Sequence, residues 1–222
     1  MSEFKTTVIR AFDIPDAWFK AIREVLEHGH TWTIQRGSKK GHRRLEFDNV
    51  LITIKRPFTK PLIPDVPEGV PPPTCDKELN QYLEILLTPN KGSFQYNYGE
   101  RIYPQIEDAI KMLRETPMTN QCTIEVGQPS DIKMEDPPCL RLIDFRVRYG
   151  ALHMFVYFRS WDLYAGLPSN LGGLQLFSQY VANQLDLNYG TLNAWSKGLH
   201  LYDYQWKFAR LLVGGHLKNE DK

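Results

Sequence analysis

A chain of 222 residues is long enough to bury a substantial core in one domain, so residues 1–222 are expected to fold as a single unit. Its 27 basic residues against 26 acidic ones leave a formal net charge of +1, too weak a field for a nucleic acid polymer or an anionic membrane, and no apolar run reaches the roughly eighteen residues of a membrane span. The three cysteines, Cys75, Cys122 and Cys139, form no CxxC pair and no zinc-type cluster, and no apolar leader follows Met1, which fits reduced thiols in a cytoplasmic protein without a metal.

In chain order, Asp16 to His28 places Phe19, Ile22, Val25 and Leu26 on one face and predicts an amphipathic helix, with Asp16 at its start and Gly29 at its stop. Gln35 to Arg44 carries Lys39, Lys40, Arg43 and Arg44 in a glycine-containing stretch, and reads either as a solvated loop or as an anion-binding loop for a phosphorylated substrate. Asn49 to Arg56 alternates Val50, Ile52 and Ile54 as a strand does, and the proline-rich stretch from Pro57 to Pro73 predicts a packed surface loop. Helices are expected over 77–88 and from Pro104 to Arg114, the second with proline in its first turn, followed by a strand from Thr123 to Val126.

The next segment predicts a hairpin. Leu142, Phe145 and Val147 lie on one strand, Tyr149-Gly150 makes the turn, and Leu152, Met154, Val156 and Phe158 lie on the other. A helix from Leu171 to Leu185 then follows Asn170, with Leu174, Phe177 and Val181 at helical spacing. Strands and helices without a strict βαβ rhythm indicate an α+β fold, a mixed sheet flanked by helices.

The chemistry concentrates on the hairpin. Pro137 and Pro138 hold the backbone extended before Cys139, presenting its thiol at a strand entrance, and the hairpin returns Arg159 towards it. A guanidinium there favours thiolate and predicts a pKa below the ordinary value of about 8.5. Cys139 with His153 and Asp144 also has the residue types of a thiol hydrolase, but strand parity does not force the three together.

Four motifs in order, Pro-Pro-Cys at 137–139, Phe-Arg-Ser-x-Asp at 158–162, Leu-Pro-x-Asn at 167–170 and Leu-His-x-Tyr at 199–202, resemble the folate-dependent thymidylate synthases, above all the short archaeal-type members. The match is in register from about Tyr98 to Trp206. It implies a three-layer thymidylate synthase-like fold, a homodimer formed sheet against sheet, and conversion of dUMP to dTMP. The reduced pterin co-substrate would be 5,10-methylene-tetrahydrofolate or methylene-tetrahydromethanopterin, with no metal.

Carried over, Cys139 is the nucleophile that adds to C6 of the uracil ring. Arg159 contacts the phosphate and the sulfur, Ser160 the phosphate, and Asp162 the pterin and ring side of the pocket. Asn170 selects uracil, its amide donating to O4 and accepting from N3–H, and as the residue before a helix it also suits an N-cap. His200 and Tyr202, two apart on an extended segment, meet the sugar 3'-OH, and Tyr98-Gly99 matches the family's Tyr-Gly step. The catalytic glutamate corresponds to Glu78 in Glu78-Leu79-Asn80-Gln81-Tyr82-Leu83, with Glu84 as rival.

Two departures stand out. Asn120-Gln121 occupies the place where long members donate an arginine pair across the dimer, so arginines 43, 44, 56 and 101 are the candidates to replace that charge. The apolar C-terminal segment that closes over the pterin in long members is also missing from Gly214 to Lys222, which keeps a pyrimidine nucleotide hydroxymethylase as the alternative. A non-catalytic nucleotide-binding module is the third reading, opposed by the retained Cys139.

Overall fold

A computed structural model describes residues 3–89 and 97–214. Two mixed sheets and five α-helices make an α+β fold among the described residues. The first sheet has the order β1-β4-β9-β7-β6-β5, built from β1 (Thr6–Ala11), β4 (Asn49–Ile54), β9 (Asn188–Ser196), β7 (Ala151–Phe158), β6 (Leu140–Arg148) and β5 (Thr123–Glu125). The second has the order β2-β3-β10-β8, from β2 (His30–Thr33), β3 (Arg43–Glu46), β10 (Leu199–Tyr202) and β8 (Trp161–Asp162). Strands β8 and β10 directly continue chains leaving β7 and β9, so the small sheet extends from the ends of the two central strands of the large one.

The predicted hairpin is β6–β7. Tyr149 and Gly150 at its turn have φ of 53° and 70°, the positive values a two-residue turn needs to match the strand twist. Ile143, Phe145 and Val147 on β6 and Leu152, Met154, Val156 and Phe158 on β7 are buried. Leu142 departs from the expected set. The register shifts between Leu140 and Leu142, a bulge that turns Leu142 to the other face while Leu140 stays in the core.

Helix α4 (Gly166–Gln184) is the hub of the core. Leu167, Leu171, Leu174 and Phe177 are fully buried, and Phe145 and Phe177 rings sit 5.9 Å apart. Gly172 and Gly173 permit α2 (Asp76–Leu87) to press on it: a Cβ at Gly173 would stand 2.4 Å from Tyr82, and one at Gly172 would stand 2.6 Å from Leu79. Contrary to the expected boundary, α4 begins ahead of Asn170, because Pro168 is tolerated within a first turn and Leu167 is already buried.

Two other helix starts move for similar reasons. Helix α1 (Ile14–His28) is capped by Asp13, whose carboxylate accepts from the Asp16 backbone N–H at 2.9 Å, so Asp16 lies inside the first turn. Gly29 ends it as expected. Helix α3 (Tyr98–Glu115) is capped by Asn97 and carries Pro104 internally, because Gly99 lets its first turn sit directly on the end of α2, where a Cβ would meet the Thr88 carbonyl at 2.1 Å. Arg43 and Arg44 belong to β3, leaving 34–42 as the basic loop. Residues 57–73 form the packed loop, burying Leu62 and Val70. No described helix is long and apolar enough to cross a membrane.

Candidate active site

Cys139 immediately precedes β6 and Arg159 immediately follows β7. Antiparallel pairing therefore fixes them side by side, and the Arg159 N–H donates to the Cys139 carbonyl at 2.9 Å. Pro137 and Pro138 lie outside the β6–β7 ladder, and the Arg159 guanidinium takes both of their carbonyls. Its Nε donates to each at 3.2 Å, and Nη2 donates to Pro137 as well. Tyr98, the first residue of α3, accepts the Leu140 N–H at 3.2 Å through its hydroxyl, tying the other side of the nucleophile segment to the helix.

The thiol contradicts the expected direction. Burial pushes the Cys139 pKa up from its ordinary value; Arg159 and Arg141 pull it down and Asp136 pushes it up, and desolvation wins. The cationic neighbours are where the sequence implied, but the cost of charging a half-buried sulfur is larger.

On the opposite wall, Asp162 and His200 are register partners across β8 and β10. Asp162 accepts from the Tyr164 N–H at 3.0 Å and from the Gln205 amide at 3.1 Å, so it caps the turn into α4, and burial still holds its carboxyl above the usual range. Trp18, fully buried on α1, anchors this turn by donating to the Leu163 and Tyr164 carbonyls at 3.0 and 2.9 Å. Tyr202 has its phenol pushed up to about 12 by burial, with further contributions from Asp162, Tyr204 and Cys139. Tyr202 therefore lies near enough to both Asp162 and Cys139 to feel their charge. Ser160 sits where the chain passes from β7 to β8, 3.4 Å from a Cβ placed on Gly198.

Asn170 lies inside α4 and caps nothing. Its Oδ1 accepts the Trp161 indole N–H at 2.9 Å, which fixes the amide and leaves Nδ2 as a donor without a partner among the described residues. His200 is buried and its Nδ1 lies 2.8 Å from the Gly198 carbonyl, which makes Nδ1 the protonated nitrogen and Nε2 a bare acceptor without a partner among the described residues. Burial pulls its pKa down to about 4. The His200 and Tyr202 rings meet edge-on at 4.7 Å, on one face as their spacing predicts.

Glu78 is accounted for differently. It is exposed at the third position of α2 and accepts from Thr74 Oγ1 at 2.8 Å and the Cys75 N–H at 3.3 Å, a capping arrangement. Glu84 is exposed on the same helix. No contact among the described residues joins either to the cluster around Cys139. The hydrolase arrangement does not form: His153 pairs with Thr191 and the Arg148 carbonyl, and Asp144 accepts from Thr123.

Sequence reasoning missed Glu46. It is buried across from His200 in the β3–β10 register, its Oε2 is 3.8 Å from His200 Nδ1, and burial pushes its pKa up to about 7 against the lowering effect of Arg44. Arg44 grips it through Nη2 at 3.1 Å, while Nε and Oε2 lie 2.9 Å apart without hydrogen-bond alignment. The alternation Arg44-Leu45-Glu46 hinted at a shared face, but only the strand pairing brings His200 there. Of the candidate phosphate arginines, Arg44 is engaged by Glu46 and Arg101 by Asp131, whereas Arg43 lies over Trp206 at 5.1 Å and Arg56 over Phe58 at 5.8 Å. The basic loop also reaches the site: Lys39 Nζ is 5.7 Å from the Tyr202 ring centre, and the Ser38 N–H donates to Asp136 at 2.9 Å.

The fold is a mixed-sheet α+β domain whose four motif segments carry a thiol, an arginine, an oriented amide and a neutral imidazole. Residues 80–216 match the thymidylate synthase family. A protein of Methanosarcina acetivorans with the curated name "Putative thymidylate synthase" is 31% identical over 94% of this chain and 95% of its own length. Its counterpart in Methanosarcina barkeri is 32% identical over 94% and 95%, and that of Methanothermobacter thermautotrophicus is 27% identical over 92% and 97%. The chain belongs to the thymidylate synthase family.

Proposed function

We propose that this protein is a cytoplasmic, homodimeric thymidylate synthase that methylates dUMP to dTMP with 5,10-methylene-tetrahydrofolate or methylene-tetrahydromethanopterin as co-substrate. The observation that carries the reading is the oriented Asn170 amide, locked by Trp161 beside Asp162 so that it offers the donor a uracil O4 needs.

Cys139 adds to C6 of the ring as thiolate, making C5 a nucleophile towards the methylene carbon of the co-substrate, which then also supplies the hydride. Arg159, already folded against the nucleophile segment, stabilises the thiolate and with Ser160 receives the phosphate; Lys39 and Arg43 lie close to the same wall and supply charge where Asn120-Gln121 has none. His200 and Tyr202 serve the sugar hydroxyl, Tyr202 at the surface of the pair and the buried His200 Nε2 as an acceptor behind it. Asp162 serves the pterin side while holding the α4 turn. Glu78 or Glu84 provides the acid of the family reaction, which requires α2 to approach the pocket when both substrates are bound.

The dimer reading draws on the outer face of the large sheet. Val8, Leu51, Trp195 and Phe155 there are 52%, 42%, 46% and 38% exposed, an apolar row spanning four strands that a second copy would cover. Beside it, a cleft of about 370 Å³ lined by Thr119, Asn120, Asp144, Arg146 and Phe155 brings the 119–120 loop to the same face.

Incubation with 5-fluoro-dUMP and methylene-tetrahydrofolate, followed by peptide mass spectrometry, tests the reading. The expected result is a ternary covalent adduct on the Cys139 peptide. Tight nucleotide binding without an adduct favours the non-catalytic module and contradicts the proposal.

A further inference from the structure

One buried charge cluster belongs to none of the roles above. Asp131 lies in the 3-10 turn Pro129–Lys133, is 2% exposed, and is held by two arginines from different elements. Arg101 of α3 clamps it with two bonds of 2.8 Å, and Arg141 of β6 reaches the same carboxylate at 2.7 Å. The Gln128 N–H adds a third donor at 2.9 Å. Arg101 is the largest of the effects that hold this carboxyl well below the usual range. One carboxylate thus ties α3 to the base of the nucleophile strand through two guanidinium groups.

Arg141 is the member adjacent to the nucleophile segment. It lies two residues beyond Cys139, at the bulge, and its Nη1 also approaches the Pro138 carbonyl at 3.4 Å. The Pro138 carbonyl is shared with Arg159, so one carbonyl beside Cys139 holds two guanidinium groups. Helix α3 grips the segment twice from its first turn, through Tyr98 to the Leu140 N–H and through Arg101 and Asp131 to Arg141. The charged and titratable groups near enough to act on the Cys139 charge are Arg159 from the end of β7, Arg141 from β6, Asp136 from the preceding loop and Tyr202 from β10.

We propose that Arg141 is a positioning residue for the reaction, a second cation that favours the Cys139 thiolate from the strand side and is aimed by Asp131 and Arg101. Its catalytic meaning rests on Cys139 being the nucleophile, but its effect on the sulfur is measurable with no nucleotide or pterin present. Arg159 is free to turn towards a phosphate without stripping the thiolate of all positive charge, because Arg141 is tied to a buried carboxylate and stays.

The test is the pH profile of iodoacetamide alkylation at Cys139, in a Cys75→Ser background because Cys75 is exposed; Cys122 is buried. Arg141→Gln is expected to move the midpoint up by about 0.5 to 1 unit and slow alkylation near neutrality by about threefold to tenfold. Arg141→Lys, which keeps the charge, should recover most of that loss. Gly127→Ala provides an arm that removes no charge: its Cβ would stand 2.6 Å from Arg141 Nη2 and must push the guanidinium aside, so it should raise the midpoint in the same direction. Circular dichroism establishes folding, and Gly127→Ala decides if Arg141→Gln does not fold. An unchanged midpoint in Arg141→Gln or, failing its folding, in Gly127→Ala overturns the proposal, as does an equal rise in Arg141→Gln and Arg141→Lys, which would mark a structural role alone. A failure of the functional reading would appear in the fluoro-nucleotide experiment and leave these profiles unaffected.

Discussion

Exchanging Asn170 for aspartate alters one donor and little else. In the native protein Oδ1 is occupied by the Trp161 indole N–H at 2.9 Å, so the amide cannot flip, and the Nδ2 donor faces the site. In Asn170→Asp one carboxylate oxygen keeps the Trp161 bond and the other replaces that donor with an acceptor. Against uracil O4, two acceptors then face each other in a half-buried pocket, a loss on the order of 1 to 3 kcal/mol, or about tenfold to a hundredfold in kcat/KM. For dCMP the effect has the opposite sign. Asp162 and Asn170 flank the same point, 3.1 and 3.7 Å from a Cβ placed on Gly166, so a second carboxyl there would be pushed towards its protonated form by the first. A protonated carboxyl can donate to cytosine N3. The assay is the ratio of kcat/KM for dUMP to that for dCMP in both proteins, and the expected ratio falls by at least about tenfold. An unchanged ratio with a native circular dichroism spectrum would refute the reasoning and assign base selection to another residue, since Asn170 is no helix cap.

Cys139→Ala should abolish product formation while dUMP affinity measured by calorimetry changes less than about threefold, because the binding contacts lie on other side chains. A larger loss in a folded protein would give the sulfur a binding role. Arg159→Lys should lower both dUMP affinity and turnover, since an ammonium cannot span Pro137, Pro138 and a phosphate as the planar fork does; a fully active variant would remove Arg159 from the mechanism. His200 predicts an acid-side loss of stability. Its pKa of about 4 lies below the ordinary 6.5, so the unfolded chain takes up the proton first, and stability present above pH 6.5 is lost as pH falls towards 4. The ceiling is on the order of 3 kcal/mol, from about 2.5 pH units at roughly 1.36 kcal/mol each. Glu46, pushed up to about 7 from 4.5, acts oppositely, favouring the fold below 4.5 and losing that contribution as pH rises through 7. The His200 contribution is therefore isolated by difference: urea unfolding should show the native protein's advantage over His200→Gln shrinking between about pH 7 and about pH 4.5, and a constant difference would contradict it.

The hairpin and its flanking residues were legible because they depend on local signals: a turn pair that accepts positive φ, alternation on two strands, and a rigid Pro-Pro entrance. Those signals place Cys139 beside Arg159 without any long-range information. The thiol's pKa was not legible, since it depends on how much water the rest of the fold removes from the sulfur. Helix starts failed where tertiary packing extended a helix past its apparent boundary, at Gly99 on α2 and at Leu167 in the core. Leu142 fell on the wrong face because a bulge has no signature in a plain alternation. The second sheet was invisible altogether: β3, β8 and β10 are short, and their pairing joins residues as distant as Glu46 and His200. Glu78 illustrates the converse, a motif match whose position in the fold is first of all that of a helix cap.

The most direct test of the central claim is the mass of the nucleotide produced from dUMP and methylene-tetrahydrofolate by the purified protein, run in parallel with dCMP and with the methanopterin co-substrate. The account predicts a product heavier than dUMP by one methylene group, formed from dUMP and not from dCMP, and absent with Cys139→Ala. A hydroxymethylated base, or nucleotide recovered unchanged from both co-substrates, would contradict it.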